Sequence, residues 1–588
     1  MTALRPRLAS GLLAAAWCAA LAGVVASTAG PVAVRSLGVS ISGGQRLLVA
    51  AALLAAVGVW CRGRLAGLLD ELARSPAPYV GTLLLVLGAT ALTQVERGAV
   101  SVGGADSAGY LLQAERWLTG TVRTPLPLTI PGVTDPWVQS GFGVRPDPSG
   151  TATVPTYPPG LPWLEAAAVA TGGRTLAIRG IPILSALVAL GALWALVRRA
   201  SGHAAAALSV LVLATMPPFL YQALQPMSDV PALACWLLAL ALPAGTSWRS
   251  VVASAVAVLV ACLIRPNLAP LVLAVMWQAA MHGSRTLRLR RVATVAAGAI
   301  LAVVAVALVQ AALYGSPWQS GYGRASELFA LAHIPANCRL YLAWLREALA
   351  TPTLWLLALG SASLAFHAMR TPSLRPPLLM ASLTIALYLV YAPFDSWSYL
   401  RFVLVPLALL PIGAAHLLRG LTASRAGLLT FPVVAALALL ITTSEVSRAQ
   451  ELLAFRIRTR EMRYESAGTF IRDTLPREAV IVAVQHSASA PFYSGRPVVR
   501  ADLLPVEAWP GVVTWAAETR RPLVFVLDEH EPGVLRRRFA GAPLMAFDWP
   551  PRAEIGRPAA TRIWVADDRA AFLAGHSIPS RRIVDTPR

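Results

Sequence analysis

Residues 285–313 read RTLRLRRVATVAAGAILAVVAVALVQAAL: Arg285, Arg288, Arg290 and Arg291 crowd one end, and from Val292 to Leu313 there is no charge. An uncharged run of this length matches the hydrocarbon core of a bilayer, which takes about 20 helical residues, and a basic cluster beside it marks a cytoplasmic flank. Further apolar runs lie at 11–30, 46–61, 78–97, 176–197, 203–221, 230–245, 250–264, 267–282, 351–367, 378–394, 400–418 and 425–443. Together they predict roughly thirteen transmembrane spans. The 588-residue chain is 56% hydrophobic and 13% charged, with a mean hydropathy of +0.61, which excludes a simple soluble enzyme and a disordered chain alike.

The formal net charge of +21 comes from 50 basic residues that are all arginine. Most of the excess falls between apolar runs, where it orients helices, so no nucleic-acid partner is expected. With Arg5 and Arg7 inside, the inner connections carry Arg62/Arg64/Arg74, Arg198/Arg199, Arg249, Arg285–Arg291, Arg370/Arg375 and Arg419/Arg425, and each is basic. Of the acids before residue 445, only Asp70 and Glu71 fall on that inner side. Carboxylates gathered on the outer face direct the search for chemistry there. The five cysteines show no paired spacing, so neither a disulfide framework nor a zinc site is read.

Two outer loops, about 98–175 and 314–350, are too long to be mere connections. The first contains Tyr157-Pro158-Pro159-Gly160-Leu161-Pro162-Trp163, and the stretch from there to Ala170 is expected as an interfacial or re-entrant helix. After residue 445 charges become frequent. An amphipathic helix is expected over Arg448–Arg463 and a second to Leu475; Ala479–Val484 and Leu523–Leu527 read as buried strands, with helices at 506–519 and 531–539. This is a small α/β domain of parallel type without a phosphate-binding glycine loop. The expected division is 1–77 (additional N-terminal spans), 78–444 (the catalytic membrane domain) and 445–588 (an extracytoplasmic α/β domain). The odd span count places the last outside, whereas its basic first helix argues for the cytoplasm.

Asp106, in Gly103-Gly104-Ala105-Asp106-Ser107, stands at the start of an expected helix, where it reads either as an N-cap or as a general base for an acceptor hydroxyl. Asp229, in Gln225-Pro226-Met227-Ser228-Asp229-Val230-Pro231, reads as a turn residue or as a functional acid paired with a cation. Two outer acids from separate loops also suit a shared divalent metal with a phosphate. Tyr322 is placed to stack on a sugar or on its loop neighbours. Asp395 reads as an outer cap or a wall of a carrier site. His333, His486 and His530 read as structural or surface histidines, and Asp528, Glu529 and Glu531 as a solvated strand edge.

Four stretches in order resemble the GT-C membrane glycosyltransferases, particularly the protein O-mannosyltransferase and lipid A aminoarabinose transferase branch. They are Asp106-x-x-x-Tyr110-x-x-x-Ala114 with Gly120, Tyr157-Pro158-Pro159-Gly160, Met227-Ser228-Asp229-Val230-Pro231, and Tyr399-Leu400-Arg401-Phe402 with Pro406. The resemblance implies a multi-pass enzyme of the inner (plasma) membrane that moves a sugar from a polyprenyl-phosphate carrier to a cell-envelope glycan, lipid or protein on the outer face, usually with inversion. It implies Asp106 as the first-loop catalytic acid, Asp229 as the second-loop acid or a metal ligand, Arg401 and Arg265 near the lipid phosphate, and Tyr110 and Tyr157 within the substrate-facing motifs. Ser107 stands where the mannosyltransferases have a second acid, so their acceptor is not implied. Guanidinium groups suit phosphate bidentately, though headgroup snorkelling is the plainer reading of an interfacial arginine. Two other classes fit an apolar chain of this kind: a flippase for a lipid-linked saccharide and a non-catalytic membrane scaffold. No clear internal repeat favours the first.

Overall fold

The computed structural model describes residues 75–245, 247–422, 430–556 and 560–583, with only scattered residues between 11 and 54. Most of the runs expected at 11–30 and 46–61, the connections with Arg5, Arg7, Arg62, Arg64, Arg74, Asp70 and Glu71, and the start of the run at 425–443 lie outside the described residues. The chain forms two compact units. One takes residues up to Gly98, Pro182–Ala305 and Ser326–Phe455; the other takes Ala99–Ile181, Val306–Ala325 and Arg456 onward.

The first unit is a helical bundle. Among the described residues of the whole chain, six helical stretches are long and apolar enough to cross a bilayer: Ala77–Arg97, Gly160–Ser201, Arg285–Tyr314, Thr351–Arg370, Trp397–Leu417 and Pro432–Glu451. A seventh is reached if His203–Thr215 and Pro217–Ala223, bent by 66°, count as one. The bend falls at Met216-Pro217-Pro218, because proline pushes the residue before it out of the helical region. Four of the expected runs thus become shorter helices, including Asp229–Ala241, Trp248–Ile264 and Val272–Ala280. Their Trp236, Leu240, Val258 and Val275 are fully buried, so part of that apolarity serves helix packing, while Val252, Val256, Leu273 and Trp277 stay exposed. The stretch to Ala170 is helical and is set off from the next helix by a kink. Gly160–Thr175 runs through a break at Gly173 (φ +73°) and a π-type turn at Leu176–Gly180 into Ile181–Ser201.

Arg291, read as an interfacial charge, is buried. Its Nε donates to the Ala279 carbonyl (3.0 Å) and its NH2 group to those of Pro243 (2.5 Å) and Gly245 (2.8 Å). One guanidinium so satisfies the exposed carbonyls at the ends of two neighbouring helices.

The second unit carries two sheets. Thr124–Pro125 (β1), Val144–Pro146 (β2) and Ala152–Pro155 (β3) form an antiparallel sheet in the order β1-β3-β2. A hairpin follows from Gln319–Ser320 (β4) and Gly323–Arg324 (β5). Val480–Ala483 (β6), Val498–Arg500 (β7), Leu523–Asp528 (β8), Ala553–Ile555 (β9), Thr561–Val565 (β10) and Arg581–Ile583 (β11) form a sheet in the order β11-β9-β10-β8-β6-β7. The sheet is mixed, not parallel. β6 and β8 run parallel, as their unbroken apolar runs suggested, and β7 joins β6 in parallel, but β10 pairs antiparallel with both β8 and β9. The connection from Ile555 to Thr561 is too short for a parallel crossover.

Helix Ile457–Thr474 covers one face of this sheet with Ala467, Phe470 and Ile471. On the other face Leu128, Ile130 and Val138 of the first long loop join Val482, Phe525, Trp509 and Trp515 in one core. The C-terminal segment is therefore completed by a loop some 350 residues earlier. Its first helix also differs from expectation: Thr430–Glu451 ends before a short turn at Ala454–Arg456, so the Arg448–Arg463 stretch spans two helices.

In the bundle, Thr351–Arg370 and Pro411–Thr422 touch backbone to backbone: a Cβ on Gly413 would fall 2.0 Å from the Gly360 carbonyl oxygen. Gly413→Ala is expected to destabilise the protein by about 1–3 kcal/mol through overpacking. Gly191→Ala, where nothing lies within 4 Å of the new methyl, is expected to be neutral or stabilising. Thermal unfolding of the two purified variants checks the contrast.

Candidate active site

In the second unit, helix Asp106–Thr119 begins at Asp106 itself, and the preceding Ala105 offers no side-chain cap. The cap reading of Asp106 is not realised. Its Oδ1 lies 3.0 Å from the Tyr157 hydroxyl, which also sits 2.8 Å from the Ala105 carbonyl. Burial, and then the nearby Asp106 charge, push the Tyr157 phenol well above its usual range, so it stays protonated and donates. Gln113, two turns along the helix, fixes Tyr157 by its backbone: Nε2 donates to the Tyr157 carbonyl (2.9 Å) and Oε1 accepts from its N–H (3.3 Å).

The Tyr110 ring packs 4.3 Å from that of Tyr157, and Tyr322, on the β4–β5 hairpin, meets it edge-on at 6.0 Å. Tyr322 is 48% exposed and Tyr110 is buried. Asp106, Tyr110, Tyr157 and Tyr322 therefore form one cluster, with an aromatic face left open beside a carboxylate. Aromatic faces next to hydrogen-bonding groups suit a sugar ring.

In the first unit, Asp229 begins its helix, again without acting as a cap. Its side chain is fully buried and ion-paired with Arg265, whose NH2 stands 2.6 Å from Oδ1. Arg265 also donates through Nε to Ser228 Oγ (3.2 Å) and through NH1 to Tyr388 Oη (3.2 Å), which receives Asn267 Nδ2 at 3.0 Å as well. The Tyr388 ring stacks on Phe402 at 4.8 Å. Arg265 lies 5.5 Å from the Phe402 ring centre and Arg401 lies 5.3 Å from it, with Tyr399 a further 5.0 Å contact of Arg401. Asp229, Arg265 and Arg401 are thus gathered around one phenylalanine, with two guanidinium groups against its ring. Sequence reasoning missed Tyr388 and Asn267, which sit in apolar runs with no motif around them.

Other candidates resolve differently. Asp395 is exposed, and the cap of the next turn is Ser396, whose Oγ accepts from the Ser398 N–H. The run after β8 is not a solvated edge: Asp528 and Glu531 are buried. Asp528 takes hydrogen bonds from His486 Nε2 (3.0 Å), Thr561 Oγ1 (2.8 Å) and Arg463 NH2 (3.0 Å). Burial pushes the Asp528 carboxyl up, but His486, Arg463 and Thr561 more than reverse this and hold it well below the usual carboxylate range. His486 is fully buried and structural.

Among the described residues, no group of three or more His, Cys, Asp or Glu is placed to hold a metal ion. Asp106 and Asp229 belong to different units, and Asp229 already serves Arg265.

Residues 156–309 match the family described as dolichyl-phosphate-mannose-protein mannosyltransferase. Asp229 and Arg265 lie inside that match, and Asp106 and Arg401 outside it. The match covers about a quarter of the chain and marks that stretch as similar to the glycosyltransferases of this family. No curated protein matches it in sequence. Among solved structures it is similar to ArnT from Cupriavidus metallidurans bound to undecaprenyl phosphate, at 16% identity over 83% of this chain and 97% of that one (TM-score 0.46). The apo state of the same protein gives 16% over 83% and 98% (TM-score 0.48). The Archaeoglobus fulgidus oligosaccharyltransferase in complex with Zn and sulfate gives 16% over 82% and 73% (TM-score 0.46).

Asp229→Ala leaves the buried Arg265 charge uncompensated and is expected to cost about 3–5 kcal/mol of stability. The double variant Asp229→Ala/Arg265→Leu is expected to recover most of that. Equal losses in thermal unfolding for the single and double variants would show that the pair is not coupled.

Proposed function

We propose that this chain transfers a sugar from a polyprenyl-phosphate carrier to an acceptor hydroxyl on the outer face of the membrane, with inversion and with Asp106 as general base. The observation that carries the reading is the Asp106 carboxylate, oriented by the protonated Tyr157 hydroxyl and bordered by the exposed Tyr322 ring. The Tyr157 hydroxyl beside Oδ1 restrains the carboxylate, and a general base needs to be held in this way to meet an incoming hydroxyl. The acceptor O–H gives its proton to Asp106 as its oxygen bonds to the anomeric carbon. The bond from that carbon to the phosphate oxygen breaks, and the polyprenyl phosphate leaves with the electron pair. In-line attack on the face opposite the phosphate inverts the centre, so a single base suffices.

The phosphate leaves with added charge; within the first unit, Arg265 and Arg401 lie against Phe402 among apolar helices, and guanidinium groups suit a phosphate. Asp229 orients Arg265. The name of the matched family, with its dolichyl-phosphate mannose donor, supports a carrier of the same chemical kind. The bent pair His203–Thr215 and Pro217–Ala223 is the one feature that favours a flippase, since transporters use broken helices.

Turnover of radiolabelled polyprenyl-phosphate sugars with cell-envelope acceptors separates the two. Wild type is expected to transfer label and Asp106→Asn to lose about 10²–10⁴-fold in kcat while still binding donor. Undiminished transfer by Asp106→Asn would remove the base assignment. Arg401→Ala is expected to raise the KM for the donor more than that for the acceptor. The side of the C-terminal segment is read by a cysteine at the exposed Leu573, introduced into a chain whose five native cysteines are serine. An impermeant maleimide is expected to label Leu573→Cys in intact cells, and labelling only after permeabilisation would place the segment in the cytoplasm.

A further inference from the structure

The residues before Asp106 rest on the C-terminal segment, all within the second unit. Val102 is clamped by Tyr493: its N–H donates to the phenol oxygen (2.8 Å), and the phenol donates back to the Val102 carbonyl (3.1 Å). Gly103 lies on the face of Tyr464, so closely that a Cβ there would fall 1.9 Å from Cδ2 of the ring. Gly104, with φ +58°, would bring a Cβ to 3.2 Å from Gln485 Nε2. The turn closes through Ser107, whose hydroxyl accepts from the Gly103 N–H (2.9 Å) and donates to its carbonyl (2.7 Å).

Tyr464 is itself fixed from below. Arg463 NH2 donates to its hydroxyl (2.7 Å) and to Asp528 Oδ2 (3.0 Å), and Asp528 Oδ1 is held by His486 and Thr561. The His486 ring packs 4.7 Å from that of Tyr464. Glu531 ties the ends of two strands together by accepting the N–H groups of Gln485 and Asp528, both at 2.8 Å. Arg463 and His486 bring this set of contacts to a tyrosine whose ring is the floor of the loop that leads into Asp106. The hydrogen bond that Arg463 makes to Asp528 is charge-assisted and so is among the strong ones of the set.

We propose that Tyr464, braced by Arg463, Asp528 and His486, is a positioning residue that seats Val102–Ala105 and thereby aims the Asp106 carboxylate. It rests on the reading of Asp106 as the base. A shift of about 1 Å in a reacting group costs about 10²-fold in rate, so a floor of fixed height under the loop has kinetic consequence. The C-terminal sheet then acts as part of the transfer machinery, and its His486 to Tyr493 stretch is the seam that docks the loop.

Three variants of the full-length protein test this by two readouts. Gly103→Ala is expected to lower kcat about 10–100-fold with the KM for donor nearly unchanged, and Gly103→Ala/Tyr464→Leu, which makes room for the methyl, to regain at least part of it. By hydrogen exchange, Tyr464→Leu is expected to speed amide exchange in residues 99–107 while the helix Trp509–Glu518 exchanges as in wild type. Unchanged exchange at 99–107 in Tyr464→Leu overturns the proposal whatever the activity, and so does a wild-type kcat for Gly103→Ala when Asp106→Asn is inactive. Full activity of Asp106→Asn combined with faster exchange at 99–107 in Tyr464→Leu would overturn the base reading and leave the seating of the loop standing.

Discussion

A carboxylate set among apolar helices or packed beside aromatic rings has to be matched by a donor held in place, and Asp229 and Asp106 each meet that constraint. Asp229 meets it with a cation. Arg265 in turn needs Ser228 and Tyr388, and Tyr388 needs Asn267 and the face of Phe402. Asp106 meets it with a neutral donor, the Tyr157 phenol, which burial keeps protonated. The difference has chemical meaning. A carboxylate ion-paired with a buried guanidinium is held as an anion by a full charge, whereas one beside a phenol meets a neutral hydrogen-bond donor.

The second unit shows how an exposed loop gains the rigidity that such a base needs. Between the helices Asp106–Thr119 and Gly160–Thr175 its long first loop has little regular structure: three short strands and a single helical turn at Pro136–Gln139. Order is imported from residues far along the chain. Leu128, Ile130 and Val138 enter the core of the C-terminal sheet, Ser487 Oγ accepts the Phe142 N–H at 3.2 Å, and Tyr493 clamps Val102 across a separation of 391 residues. Contacts of that range close large loops and form late in folding. The conformation before Asp106 is thus complete only when the last part of the chain has folded.

The bundle and this unit also handle buried arginine in the same way. Arg291 and Arg496 both turn their guanidinium groups onto backbone carbonyls: Arg291 onto Ala279, Pro243 and Gly245, Arg496 onto Pro476, Ser494 and Leu475. A planar group with five donors can close several helix ends or turns at once, which lysine cannot. In a chain whose basic residues are all arginine, part of the positive charge that looks like topology is therefore internal carpentry.

Read alone, the sequence determined the class: long uncharged runs flanked by arginine dictate membrane helices, and acids gathered on one expected side of them, Asp106 and Asp229 included, direct the search for chemistry there. It also indicated that Asp229 needs a cation, because a lone buried charge is prohibitive. Tertiary structure decided the rest. An apolar run looks the same whether it faces lipid or packs against Trp236 and Leu240, so the number of full-length spans was not legible. Two strands that are apolar on both faces look parallel until a short connection forces β10 to run the other way. The acidic run at 528–531 looks solvated because charges usually are. Only the folded sheet brings His486, Thr561 and Arg463 to Asp528, and only long-range packing turns Tyr464 into the floor beneath Gly103, since neither contact leaves any local periodicity for a sequence to carry.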